Sequence, residues 1–462
     1  MIPSLQDLPQ EVLYQVLLYL PLDSVLAFEQ VCNRFRDTSG PVVWRQLCKN
    51  SFQHWHTTHE FAKRLVLPVE QTNWKQLYAQ RHKRRNQVQQ GIDSILAQQS
   101  DRTAKIQDIV SLGWDAKDTL LHHCRIGDGQ DDVLARRWYS RLVLGCLHRS
   151  ISIEQWLKLD GFAEENGSLE RALSAFDLFV AQEVDGNLSD VPAMLDAIAK
   201  DFEAKHPDCA QLAFQKKATV LAGYVQEHNL MGIDDDVDAH YHDLQNNFIR
   251  NALKHTHHPS LPLISVAIYC CIAQRLGLNA RPCCFPFHVL AVIKSTDQDD
   301  VYLDPFRGPE EIKLSELKSK LESLSISPEN HAKVLNAAST AEVVTRCARN
   351  IITAIQTIPQ GHNGAQGSIS PDSAFYGALW VLLLTSTTQG ERHSVTQYAA
   401  YLPVVVNHMQ TQFPSGGLFQ YGSLPVSHHS LRVLCYRSPL PAIALFRLLV
   451  ILKFHARMLH VT

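Results

Sequence analysis

The run "HPSLPLISVAIYCCIAQRLGLNARPCCFPFHVLAVIK", residues 258–294, constrains the fold more than any other part of the chain. From Leu261 to Gly277 it is almost wholly apolar, too long for one strand and closed by a glycine. That pattern predicts a mostly buried helix ending at Gly277. "FHVLAVIK" and "DVYLDPF" follow, apolar and strand-like, joined by the polar "STDQDD", and read as paired strands. Together with the helical periodicity elsewhere, the chain reads as mainly α, an α+β protein with a small antiparallel sheet.

The same stretch poses a chemical question. Cys270, Cys271, Cys283 and Cys284 lie in it, with His288 near its end and Asp304 just beyond. An imidazole on one strand can donate to a carboxylate on the next, which fixes its tautomer and makes it a base for a nucleophile. The nearest hydroxyls, Ser260 and Ser265, would need an oxyanion hole as well as that base, and the sequence identifies none. For the four cysteines the plain reading is buried packing, and adjacent pairs are poor chelators compared with C-x-x-C.

With 462 residues the chain can hold about two to four domains. A formal charge of −3 offers no basic excess to track phosphates, so no nucleic acid is expected. Eleven cysteines, an odd number with two vicinal pairs, suit reduced thiols and a cytoplasmic or nuclear setting. The opening residues lack the basic and apolar regions of a secretory signal. "LPAIALFRLLVILKF", 440–454, is short and interrupted by Arg447, a buried helix rather than a membrane span.

At the start, "LPQEVLYQVLLYLPLDSVLAFEQVCNRFRDTSGPVVWRQL" contains three helical patterns. Val12, Leu13, Val16, Leu17 and Leu20 space the first, Pro21 stops it, and Asp23 or Ser24 can cap the second. Trp44 and Leu47 mark the third. This segment resembles an F-box at Leu8, Pro9, Glu11, Leu13, Leu20, Pro21, Val31, Cys32, Phe35, Trp44, Arg45 and Leu47. The resemblance implies docking on a Skp-type adaptor, and through it a cullin ubiquitin ligase, with Leu8, Pro9, Leu13, Leu17, Leu20, Pro21, Val31 and Trp44 as expected contacts.

Residues 53–130 read as a polar helical linker, with Ile92, Ile95, Leu96, Ile106, Ile109 and Val110 at helical spacing. Within it "RHKRR", 81–85, reads as one solvated helix face, with an acidic partner or a nuclear address as the alternative. His54, His56 and His59, like His255, His257 and His258, lack the second half of a zinc spacing, and "DDDVD" at 234–238 lacks the glycine and closing glutamate of a calcium loop. No metal and no cofactor is expected.

From about 130 the chain resembles the SirB-type transglutaminase-like family, carried by "YHDLQNNFIRNAL", "HPSLPLISVAIYCCIAQRLGLNARP", "FPFH" and "LDPFRG". In active members of that family a nucleophilic cysteine begins the long helix, about fifteen residues before its closing glycine. Counting back from Gly277 reaches Pro262. His288 and Asp304 fall at the base and acid positions. Cys270 and Cys271 sit about 12 Å further along the helix, at ~1.5 Å per residue, beyond reach of the imidazole. The resemblance therefore implies a vestigial triad at Pro262, His288 and Asp304.

The expected domains are 1–52 (F-box), 53–130 (linker), 131–310 (transglutaminase-like) and 311–462 (helical extension). Relatives with this architecture commonly end in a small β-rich YccV-like domain, and 415–462 shows no such alternation. The expectation is a ligase substrate receptor that performs no catalysis itself and holds an unidentified protein client. The alternative is a thiol or serine hydrolase or transamidase using His288 and Asp304.

Overall fold

Two prolines and a glycine divide the first helices. Pro9 precedes α1 (Gln10–Tyr19), and Pro21 ends its run and precedes α2 (Leu22–Val31). Pro21 itself is the N-cap, so Asp23 and Ser24 make no capping bond there; Asp23 instead places its charge in the first turn, where the helix dipole favours it. The third expected pattern, marked by Trp44 and Leu47, is α4 (Pro41–Ser51), and a short helix not expected from the sequence, α3 (Asn33–Thr38), precedes it. Gly40 separates them and Pro41 takes the first helical position, where a missing N–H costs nothing.

The computed structural model describes residues 5, 8–129, 132–160, 167–181, 186–233, 240–255, 257–295, 299–357 and 369–385. They fall into two compact units, divided between Leu147 and His148. The expected apolar segment 440–454, the YccV question at 415–462 and the 234–238 acidic run lie outside the described residues.

After α5 (Phe61–Val66), the first unit continues through α6 (Trp74–Ala97), α7 (Arg102–Ser111), α8 (Trp114–Cys124) and the start of α9 (Val133–Leu157). Its opening helices do not close a core of their own. Leu17, Val25, Val43, Trp44, Leu47, Cys48 and Phe52 form one cluster with Trp74, Leu77 and Tyr78 of α6. The expected boundary at residue 52 therefore cuts through a single core, as a unit too small to bury its own apolar surface requires. Further along, Ile92, Ile95, Ile106, Ile109 and Val110 are buried as their spacing predicts.

The "RHKRR" run is not a solvated face. Arg81 is fully buried, ion-pairs with Asp115 at 3.0 Å, and donates to Asp118 at 3.1 Å and to the His54 carbonyl at 2.8 Å. Arg84 pairs with Asp115, while Arg85 donates to the Ser51 carbonyl at 2.8 Å and lies over the Phe52 ring. Arg81, Arg84 and Arg85 thus fasten α6 to α4 and α8, and Lys83 faces solvent.

In the second unit, α10 (Ser168–Val180), α11 (Asp190–Lys205), α12 (Phe214–Glu227), α13 (Ile249–Lys254) and α14 (Pro262–Arg275) lead into the sheet. Leu173, Phe176 and Phe179 are buried on α10. Every residue of α14 from Pro262 to Ala273 is buried. The helix ends at Gly277, whose φ of +81° is the left-handed conformation that glycine adopts without a Cβ penalty. Arg275, in the last turn, pairs with Glu170 of α10 and Asp196 of α11, both at 2.6 Å, where a cation suits the helix dipole.

Four antiparallel strands lie in sequence order: β1 (Ala280–Cys283), β2 (Leu290–Ile293), β3 (Val301–Leu303) and β4 (Glu311–Ile312). α14 packs against β1 and β2. A second cluster joins Cys283, Phe285, Leu290, Val292 and Tyr302 to Leu317, Leu321 and Leu335 of α15 (Leu314–Ser323) and α16 (Pro328–Leu335). α17 (Thr340–Thr357) and α18 (Pro371–Thr385) pack on each other and on α10. Among the described residues no helix is long and apolar enough to cross a membrane.

Candidate functional site

Register brings the base and the acid together. Ala291 pairs with Leu303 across β2 and β3, so the chain entering β2 runs beside the chain leaving β3. His288 lies in the turn before β2 and Asp304 directly follows β3. Nε2 of His288 is 2.7 Å from the Asp304 carboxylate, a charge-assisted geometry that leaves Nδ1 as the free acceptor when Nε2 carries the proton. The turn is braced by His288 N–H donating to the Phe285 carbonyl at 3.1 Å and by Arg346 donating to the same oxygen at 2.8 Å. His288 sits off the strand, not on it as expected, because the tight turn at 286–288 delays the start of β2.

Pro262 is the first residue of α14 and is buried. Around it the chain is self-satisfied: Leu261 N–H donates to the Asn246 carbonyl at 3.0 Å, and Ser260 exchanges hydrogen bonds with Gly232 in both directions. The Ser260 and Ser265 hydroxyls lie 2.8 Å apart and fully buried. Neither hydroxyl has His288 as a hydrogen-bond partner; they bond each other, and Ser265 also donates to the Ser260 carbonyl.

Burial governs the thiols as well. Cys270 and Cys271 face apolar interior, and burial pushes both well above the ordinary thiol value. Burial pushes Cys283 up to about 12, with its Sγ 3.3 Å from the Val334 carbonyl, and raises Cys284 despite the Arg346 guanidinium beside it. A reactive cysteine needs the opposite shift.

At the N-terminal unit, three of the eight expected docking residues point inward. Leu13 and Leu17 are fully buried and Trp44 is 3% exposed, its Nε1 donating to Glu29 at 3.1 Å. Each holds the unit together, Leu13 and Leu17 by about 1.5–3 kcal/mol apiece. Pro9, Pro21 and Val31 are exposed, while Leu8 and Leu20 are half-buried. Tyr19, outside the expected set, is 87% exposed, and Val12 and Val16 lie exposed at helical spacing on the same face of α1.

The imidazoles weighed as zinc ligands are occupied separately. His54 pairs with Asp118 at 2.6 Å, His59 with Asp115 at 2.7 Å, and His56 Nδ1 lies 2.8 Å from the Thr58 hydroxyl. Among the described residues no group of three metal-ligating side chains converges.

A family model described as F-box-like matches residues 5–50, and one described as transglutaminase-like superfamily matches residues 189–349. No curated protein and no solved structure gives a significant match. The second match spans α14, the sheet and the His288–Asp304 pair. The chain thus joins an F-box-like domain to a domain of the transglutaminase-like superfamily.

Proposed function

We propose that the protein is a substrate receptor of a Skp-cullin-F-box ubiquitin ligase. The N-terminal helices dock the adaptor, and the transglutaminase-like body holds a protein client without covalent chemistry. The carrying observation is the composition of the site: His288 and Asp304 remain bonded at 2.7 Å, while the helix start that would supply the nucleophile is Pro262. A base without a nucleophile has no covalent route. Docking draws on Leu8, Pro9, Leu20, Pro21 and Val31, extended by Val12, Val16 and Tyr19. Leu13, Leu17 and Trp44 support that surface from beneath.

Co-purification of full-length protein with the Skp-type adaptor and a cullin tests this. Wild type is expected to recover both, and Val16→Asp with Tyr19→Asp to recover neither while keeping its helical spectrum. Failure of folded wild type to bind the adaptor removes the proposal.

The intact His288–Asp304 bond favours one second reading, a hydrolase or transamidase. It requires an activity-based thiol probe to label Cys270, Cys271, Cys283 or Cys284, and the label to vanish on His288→Ala.

A further inference from the structure

We infer that the turn carrying His288 is the mouth of a peptide-docking site whose occupant is an extended, acidic segment of a protein client. This rests on the reading of the body as a client holder. Phe287, next to His288, is 90% exposed and has a φ of +60°, a left-handed conformation that an aromatic residue adopts only when its surroundings impose it. The bonds to the Phe285 carbonyl and to Asp304 impose it here. A braced turn therefore presents a large apolar ring to solvent, and backbone strain of this sort gathers at ligand clamps.

The polar groups around that ring keep bonding capacity to spare. With Nε2 donating to Asp304, His288 Nδ1 is an acceptor with no donor among the described residues. Asp304 is 6% exposed, and its Oδ1 is buried with no hydrogen-bond partner. Buried acceptors seldom go without a donor unless a partner or solvent supplies one. Outside them, the Arg307 side chain is 69% exposed, with Asp304 3.5 Å away and no hydrogen bond to its guanidinium. The exposed Arg307 guanidinium is the cation on the rim of this turn. Of the nearby acids, Glu342 is engaged by the Ser339 amide and hydroxyl, and Glu310 folds toward Gly308.

An extended peptide suits the groups this turn exposes. A main-chain N–H answers His288 Nδ1, a carboxylate answers Arg307, and an apolar side chain covers Phe287. A basic segment would bring like charge to Arg307. A polyanionic nucleic acid would need a longer cationic track than this rim offers.

Fluorescence anisotropy on the full-length protein tests the inference, using short fluorescein-labelled peptides that alternate Glu with Phe and matched peptides with Gln or Lys in place of Glu. The Glu peptide is expected to bind and the other two to bind far more weakly. Arg307→Glu should weaken the Glu peptide by roughly tenfold. Phe287→Asn, which keeps a residue tolerant of left-handed backbone, should weaken it as well. Both variants should still co-purify with the adaptor. Equal binding of the Gln or Lys peptide, or wild-type affinity in both variants, overturns the inference. Conversion of the Gln peptide by the protein overturns the client-holder reading and this inference with it; loss of the adaptor alone overturns only the F-box assignment, because the peptide measurement is independent of it.

Discussion

Asp115→Ala should weaken the N-terminal unit more than any surface change can. The carboxylate is fully buried, takes the His56 amide at 2.9 Å and His59 Nε2 at 2.7 Å, and is ion-paired with Arg81, at 3.0 Å, and with Arg84. Removing it leaves Arg81, itself fully buried, with Asp118 as its remaining anion. Breaking one side of a buried ion pair costs about 3–5 kcal/mol, against a typical domain stability of ~5–15 kcal/mol. Hydrogen exchange of α4, α6 and α8 amides in the full-length protein reads the loss locally, and protection should fall together in all three helices. The exposed Lys63–Glu60 pair is the control, and Glu60→Ala should leave exchange unchanged. Acid supplies a second readout. Burial works to raise the Asp115 pKa, but the His59 hydrogen bond and the Arg81 charge outweigh it and hold the group below its ordinary 3.8. A depressed carboxylate stabilises the fold above its unfolded pKa and loses that contribution as pH falls through the folded one. Wild type and variant should therefore converge in acid. A loss below about 1 kcal/mol at neutral pH, or a difference that persists in strong acid, would refute the account of a buried, charge-locked junction.

Leu13→Asp or Leu17→Asp should abolish adaptor binding by unfolding the first unit, visible as lost helical signal, whereas Tyr19→Asp should abolish it with the helical signal intact. Burial pushes Asp177 up to about 7, against the amides of Arg250 and Asn251 that favour its charge. Its neutral form is the one the fold prefers, so the melting temperature should fall as pH rises from the ordinary Asp range through about 7 and then level, and Asp177→Asn should flatten that slope. Gly277→Ala should lower stability by about 1 kcal/mol in thermal unfolding: open space surrounds the added methyl, but the φ of +81° penalises it.

The elements legible from sequence were those whose signal is local. α14 announced itself by an unbroken apolar run closed by Gly277, and β2 and β3 by short apolar segments around a polar connection. β1 was not legible, because "ARPC" contains a proline and is too short to alternate. The orientation of α1 was ambiguous because Val12 and Val16 share its apolar character with Leu13 and Leu17, and only the packing of α4 decides which pair turns inward. The inward aim of Arg81 and Arg84 was invisible because their acids, Asp115 and Asp118, lie more than thirty residues later. At the site, the meeting of His288 and Asp304 followed from adjacent strands. The bond from Arg346 to the Phe285 carbonyl joins residues 61 positions apart, which no spacing encodes.

The shared interior of the first unit sets how short a working fragment of it can be. A piece carrying only α1 to α4 would arrive with Trp44 and Leu47 facing water, since Trp74, Leu77 and Tyr78 complete their surroundings. Moving these helices to a new body with their interior closed means carrying the chain through Tyr78.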